Sequence, residues 1–271
     1  MITSSDLEKF DPSGMHKIYD MWPKLAKNAY LSTFPVTSVF DIDHVVIAGM
    51  GGSGAIGDLF NAIFSKNDIH VTLVKGYLLP KTVDDKTLVI TISVSGNTIE
   101  TLHILKTAKD LNCKLMAFSS GGKMQEFCKK YGVEFHMIEK MHSPRSSFVI
   151  YVYSILKILK SIIPITENDV MESISVLENT HKLINSDNLT HTNSSLLLSE
   201  HILNIPSIFY PPGLEAVAIR FKSSLQENTK SHAIVENVVE SCHNAIMAWE
   251  TPSSLHPILI QGEDDYYKTK E

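Results

Sequence analysis

The 271-residue sequence is poor in cysteine, with only Cys113, Cys128 and Cys242. They stand far apart and form no Cys-x-x-Cys pair. That excludes a zinc ribbon or a disulfide scaffold and fits a reducing compartment. Basic residues are not in excess, because 24 Lys and Arg against 30 Asp and Glu leave a formal charge of −6. Without a net basic face, nucleic acid and anionic membranes are not expected partners, although local geometry can still hold one small phosphate. No long apolar run is present. The greasiest stretch, 148–165, is broken by Lys157, Lys160 and Pro164, where a membrane span needs about 20 mostly apolar residues. The opening Met1-Ile2-Thr3-Ser4-Ser5-Asp6 lacks the basic region and apolar core of a signal peptide. A cytoplasmic protein is expected. Hydrophobic residues at 44% exclude a disordered chain. At roughly 150 residues per domain, the length fits two domains or one large α/β unit.

What is present is alternation. His44 to Ala48 is a β-branched run that ends in Gly49-Met50-Gly51-Gly52-Ser53-Gly54, and helical spacing resumes through Ile56, Leu59, Phe60 and Ile63. Further strands are expected near residues 72, 90, 116 and 135, with helices between them. Asn97 with Glu100 resembles a capping box for the helix after the third strand. Strand–helix alternation of this kind predicts an α/β fold with parallel sheets covered on both faces. On such sheets ligands bind outside the carboxyl ends of the strands. Residues 1–39 are expected to be an N-terminal helical segment, 40–165 a first lobe and 166–204 a helical connection. Residues 205–271 carry a second, shorter alternation, with strands expected at 207–210, 233–239 and 255–261. About three strands make an apparently incomplete lobe.

Two loops carry chemistry. Gly49-x-Gly51-x-x-Gly54 has the dinucleotide spacing, but the second strand ends Val74-Lys75-Gly76, without the ribose-binding acid that NAD requires. Glycines and a helix start still suit an anion, and a ligand-free tight turn is the alternative reading. Ser93-x-Ser95-Gly96-Asn97-Thr98 places three hydroxyls around a glycine at a strand end. That is a neutral cradle for a phosphate monoester or, equally, a turn that only caps its helix. His136 and His142 suggest a metal pair, but their strand-to-loop placement with no carboxylate partner argues against it. No metal and no cofactor are expected.

The two loops, followed by Ser119-Ser120-Gly121-Gly122 and Pro144-Arg145, resemble the sugar isomerase (SIS) domain. Leu214 to Lys222, Glu227-Asn228-Thr229-Lys230 and His243-Asn244 resemble the second lobe of bifunctional phosphoglucose/phosphomannose isomerases. The resemblance runs from about residue 44 to about residue 250. It implies two SIS-type lobes and a phosphorylated hexose as substrate. Ser93, Ser95 and Thr98 would bind the phosphate, and Gly52 and Ser53 would contact the substrate. Arg145 would face the developing enediolate oxygen, and Glu227 would move the proton between carbons 1 and 2. His243 would assist ring opening, reaching the site from the partner subunit of a homodimer.

These residue types suit aldose–ketose isomerisation. The reaction needs one carboxylate near both carbons, a fixed cation for the charge that builds on oxygen and a proton shuttle for ring opening. Read without the resemblance, Glu227 lies off its helix's apolar face and is a solvent-facing glutamate, His243 is one histidine of twelve, and Arg145 is a salt-bridge former. The family's members continue past the position of Glu271 and supply a ring-opening lysine there; Lys268 and Lys270 do not match it. The expected activity is interconversion of glucose 6-phosphate, and of mannose 6-phosphate, with fructose 6-phosphate. A non-catalytic sugar-phosphate-binding module and an NAD-dependent dehydrogenase are the alternatives.

Overall fold

Short helices lead into the first sheet. The computed structural model describes residues 2–270, which fall into two compact units that meet in sequence at Leu196 and Leu197. In the first unit, α1 (Ser4–Phe10), α2 (Met15–Asp20) and α3 (Trp22–Tyr30) precede the sheet. Then come β1 (His44–Ala48), α4 (Gly51–Phe64), β2 (His70–Val74), β3 (Thr87–Ser93) and α5 (Ile99–Lys109). They are followed by β4 (Lys114–Ser119), α6 (Gly122–Tyr131), β5 (Glu134–Met137), α7 (Phe148–Ile158) and α8 (Glu167–Ile184). The five strands are all parallel, in the order β2-β1-β3-β4-β5.

Period-two alternation sorts each strand's side chains between two apolar layers. Val45 and Ile47 of β1 pack with Phe60 and Phe64 of α4, Phe118 of β4 and Tyr151 of α7. Val46 and Ala48 face the other way, against Val89, Ile104 and Ala108. Leu102, Leu105, Ala117, Met124 and Cys128 extend that second face under α5 and α6. The greasy stretch therefore becomes α7, a helix buried on most of its surface. Its Tyr151 donates a hydrogen bond to the Ile138 carbonyl at 3.1 Å. Burial raises the Tyr151 phenol well above its usual range, so it stays a donor.

The second unit is described by itself. Helix α9 (Ser194–His201) crosses the unit boundary. It is followed by β6 (Ile205–Tyr210), α10 (Glu215–Thr229), β7 (Ile234–Asn237), α11 (Val238–Ser241), a 3-10 segment (Ala245–Glu250) and β8 (Leu255–Leu259). Its three strands are parallel, in the order β7-β6-β8. One expectation is corrected here. The strand expected over 233–239 stops at Asn237, whose side chain accepts from the Val239 and Glu240 N–H groups and turns the chain into α11. The segment after His243-Asn244 winds as a 3-10 turn, with Asn244 as its unassisted cap.

Candidate active site

In the order β2-β1-β3-β4-β5 the chain runs outward in opposite directions from β1 and β3. The crevice between their carboxyl ends is the topological switch point, where ligands bind on open parallel sheets. The glycine loop leaves β1 and the hydroxyl loop leaves β3. Both sequence-derived phosphate loops therefore flank this crevice.

The glycine loop is tight for reasons of its own. A Cβ on Gly49 would lie 2.9 Å from the Ser53 carbonyl carbon, and one on Gly54 would lie 3.0 Å from the Gly49 oxygen. The spacing is thus required for the strand to turn directly into α4. Ser53 is buried, and its Oγ accepts from the Val94 N–H at 3.4 Å. This bond ties the start of α4 to the hydroxyl loop. Gly52 is half-buried, and a Cβ there would lie 3.9 Å from the Arg145 Cα. The structure therefore brings Gly52, Ser53, the hydroxyl loop and the Arg145 turn together within one unit.

The hydroxyl loop divides its groups between structure and surface. Ser93 is buried, with a hydroxyl 2.9 Å from that of Thr98. Ser95 and Thr98 are half-exposed. Thr98 is the N-cap residue of α5, and its side chain makes no capping bond. The expected Asn97–Glu100 capping box is absent. Instead the Asn97 amide donates to the Ser95 carbonyl at 3.0 Å, and its oxygen accepts from the Lys123 N–H at 3.1 Å. Asn97 thus fastens the loop to the start of α6, where the Met124 N–H also donates to the Gly96 carbonyl at 2.9 Å. Ser120 adds a bond from its hydroxyl to the Val94 carbonyl at 2.7 Å. Ser119-Ser120 stand out in the sequence only through the family motif. Their work is to brace the loop from behind.

Arg145 is half-buried on a turn that hydroxyls hold in place. Ser147 donates to the Ser143 carbonyl at 2.8 Å and accepts from the Met141 N–H at 2.9 Å. The Trp22 indole donates to the Ser146 carbonyl at 2.9 Å, which docks the turn on α3. These bonds fix the backbone from which the Arg145 side chain leaves.

In the second unit, Glu227 lies in the last turn of α10 and is half-buried. Lys230 ends that helix in the left-handed conformation, at φ 60°, and its ammonium donates to the Glu227 carbonyl at 2.6 Å. A cation on the last carbonyls is a common helix stop. His243 is exposed and follows α11, with its N–H on the Glu240 carbonyl at 3.0 Å. Because β6 and β7 are parallel, α10 runs back across the sheet. Glu227 therefore stands at the edge where β7 begins, and His243 beyond the edge where β7 ends. Within this unit the two are not brought together.

His136 does have a carboxylate partner, contrary to expectation. Its Nε2 is 2.8 Å from Glu134 Oε1, and its ring stacks on Phe118 at 5.1 Å. One such pair does not make a metal site, and among the described residues no group of three His, Cys, Asp or Glu side chains is placed to hold an ion. At the end of β2, where a dinucleotide fold places its ribose-binding acid, Lys75 bonds to buried Asp58 of α4 at 2.6 Å. Burial pushes the Cys128 thiol up to about 11, so it serves packing rather than nucleophilic chemistry.

Comparison with known proteins agrees with this arrangement. The SIS domain family matches residues 38–161, and the bacterial phospho-glucose isomerase C-terminal SIS domain matches residues 192–271. A bifunctional phosphoglucose/phosphomannose isomerase of Caldicellulosiruptor bescii is 32% identical over 251 residues, covering 90% of this chain and 71% of that protein. The chain belongs to the bifunctional phosphoglucose/phosphomannose isomerase family. A second such isomerase, from Aquifex aeolicus, is 29% identical over 83% of this chain and 69% of its own length. The C-terminal domain of glucosamine-fructose-6-phosphate aminotransferase from Francisella tularensis superposes with a TM-score of 0.68 at 18% identity, covering 92% of this chain and 76% of that one. At that identity it supports the fold alone. In this member of the isomerase family, the two matched segments carry the loop residues and the Glu227–His243 pair respectively.

Proposed function

We propose that the protein interconverts glucose 6-phosphate, and mannose 6-phosphate, with fructose 6-phosphate through an enediol. The observation that carries this reading is the pair of half-exposed hydroxyls, Ser95 and Thr98, at the mouth of the switch-point crevice, with Arg145 on the adjoining turn. The phosphate accepts from Ser95, Thr98 and the first N–H groups of α5, where a helix start favours an anion. Ser93 acts through Thr98, whose hydroxyl it orients. Gly52 and Ser53 approach the sugar from the other side of the crevice.

The chemistry needs few groups. The Glu227 carboxylate takes the C2 proton of the open-chain aldose. The C2–H electrons form the C1–C2 double bond, and those of the carbonyl move onto O1. Arg145 stabilises that charge as a permanent cation. Glu227 then returns the proton to C1 while the proton on O2 passes to O1, which leaves the ketone at C2 and a hydroxyl on C1. The enediol no longer carries configuration at C2, so glucose and mannose 6-phosphates share one intermediate. His243 moves the proton for ring opening.

Glu227 and His243 stand at opposite edges of one small sheet, and this supports a homodimer in which His243 of the partner subunit completes each site. A cytoplasmic enzyme fits three free cysteines and the absence, among the described residues, of any helix long and apolar enough to cross a membrane. The test is a coupled assay on all three sugar phosphates. Turnover that falls steeply in Glu227→Gln supports the reading. Calorimetric binding of fructose 6-phosphate without turnover would point instead to a non-catalytic binding module.

A further inference from the structure

Outside the crevice, α5 and α6 enclose a groove of 460 Å³ lined by Leu102, Phe127 and Tyr131 and by four lysines, Lys106, Lys109, Lys123 and Lys130. The spacing makes this inevitable. Leu102, Lys106 and Lys109 share one helix face, as do Lys123, Phe127 and Lys130. The remaining charged lining residues are Asp110 and Glu126. Four positive charges against two negative ones make the groove locally basic, in a chain whose formal charge is −6.

The four ammonium groups are not equivalent. Lys109 pairs with Asp110 at 2.8 Å. No acid among the described residues forms an ion pair with Lys106, Lys123 or Lys130. Lys109 and Lys130 stand 4.9 and 5.0 Å from the centre of the Tyr131 ring, so one aromatic gathers a cation from each wall. Tyr131 also packs on Phe127, with ring centres 4.5 Å apart. Lys123 is fixed at its backbone by Asn97 of the hydroxyl loop. The charges thus line two facing walls over an apolar, partly aromatic floor. One phosphate monoester, with a charge of about −1.5 to −2, leaves part of four positive charges unmatched, whereas a chain of condensed phosphates carries charge enough for both walls.

We propose that this groove binds a condensed phosphate chain, with Lys106 and Lys109 on one wall and Lys123 and Lys130 on the other as its ligands. The chain comes either from a nucleoside triphosphate, whose base lies on the Phe127–Tyr131 floor, or from inorganic polyphosphate. The site is separate from the hydroxyl loop and does not depend on the isomerase reading.

The experiment titrates the full chain calorimetrically with tripolyphosphate, ATP and AMP. Tripolyphosphate is expected to bind, with an affinity that falls as salt rises because exposed charges are screened. Lys106→Gln with Lys123→Gln is expected to weaken binding about tenfold or more, as loss of two cationic contacts implies. Glu126→Gln, which removes a negative charge, is expected to tighten it, and a gain cannot come from unfolding. ATP binding tighter than tripolyphosphate identifies the nucleotide as the source; equal affinity identifies inorganic polyphosphate. The proposal is overturned if tripolyphosphate does not bind at millimolar concentration. It is also overturned if binding ignores the lysine variants and is lost in Ser95→Ala with Thr98→Ala, which would put the anion in the crevice.

Discussion

Gly96 and Gly121 pack so closely that a Cβ at position 96 would lie 1.8 Å from the Gly121 carbonyl oxygen. Gly96 also sits at φ 67°, where L side chains are strained. The hydroxyl loop after β3 and the loop after β4 are therefore one interlocked unit. Gly96→Ala combines a left-handed alanine, about 1–2 kcal/mol, with an overpacked contact, about 1–3 kcal/mol. Its urea midpoint should fall accordingly. Gly132→Ala, also at positive φ but with open space around it, should show only the smaller, conformational part.

The phosphate loop should reveal itself in KM. Removing a hydroxyl that bonds to an anion costs about 1.5–3 kcal/mol, or roughly ten- to a hundredfold. Ser95→Ala and Thr98→Ala should each raise KM for the sugar phosphate on that scale, and Thr98→Ala should also cost stability because it takes the partner from the buried Ser93 hydroxyl. Ser93→Ala should cost stability as well, because its hydroxyl is buried against Thr98. Equal KM values in all three variants and the wild type would place the phosphate elsewhere.

A pH dependence is built in at the amino edge of the first sheet. Burial, reinforced by the neighbouring His70, holds His44 below the usual histidine range against the opposing pull of Asp84 and Asp43. Its Nε2 is 2.9 Å from the Thr72 hydroxyl, and the His70 ring centre lies 5.1 Å away. The folded state therefore keeps His44 neutral where the unfolded chain, near 6.5, already takes up a proton. Stability contributed by neutral His44 is complete above about 6.5 and is lost as pH falls from there toward the folded value. Urea unfolding at successive pH values should show this loss in the wild type and a flatter profile in His44→Gln.

The fold was legible because continuous apolar runs such as Val45-Val46-Ile47-Ala48 alternate along the chain with helical spacings, which implies a parallel sheet covered on both sides. The phosphate loops were legible as motifs, but the reason for them was not. Gly49 and Gly54 are required by contacts across their own turn, a relationship that spacing does not state. Asn97 reads as a helix cap and is in fact a tie to α6, because its partner lies 26 residues away in sequence. The same holds for Lys75 and Asp58, which are 17 residues apart, whereas Glu134 and His136 share one face of β5 and their pairing could have been read from the spacing. Asn237 ended its strand early because an Asx side chain can offer the backbone a competing turn.

Shared sites make a sharp test of the dimer. If each site takes Glu227 from one subunit and His243 from the other, Glu227→Gln and His243→Ala homodimers are both inactive. Co-expressed, they form mixed dimers with one intact site and one doubly defective site. With random pairing half the dimers are mixed, so about a quarter of all sites recover wild-type turnover. No recovery in verified mixed dimers would show that both residues serve the same subunit's site.

The proton transfer itself is tested most directly with glucose 6-phosphate carrying deuterium at C2, by following both turnover and the appearance of that deuterium in water. The wild type should show a primary isotope effect and partial washout, and Glu227→Gln should lose about 10²–10⁴ in kcat with KM nearly unchanged. Turnover in Glu227→Gln at the wild-type rate, with the same washout, would contradict the assignment of Glu227 as the group that carries the proton.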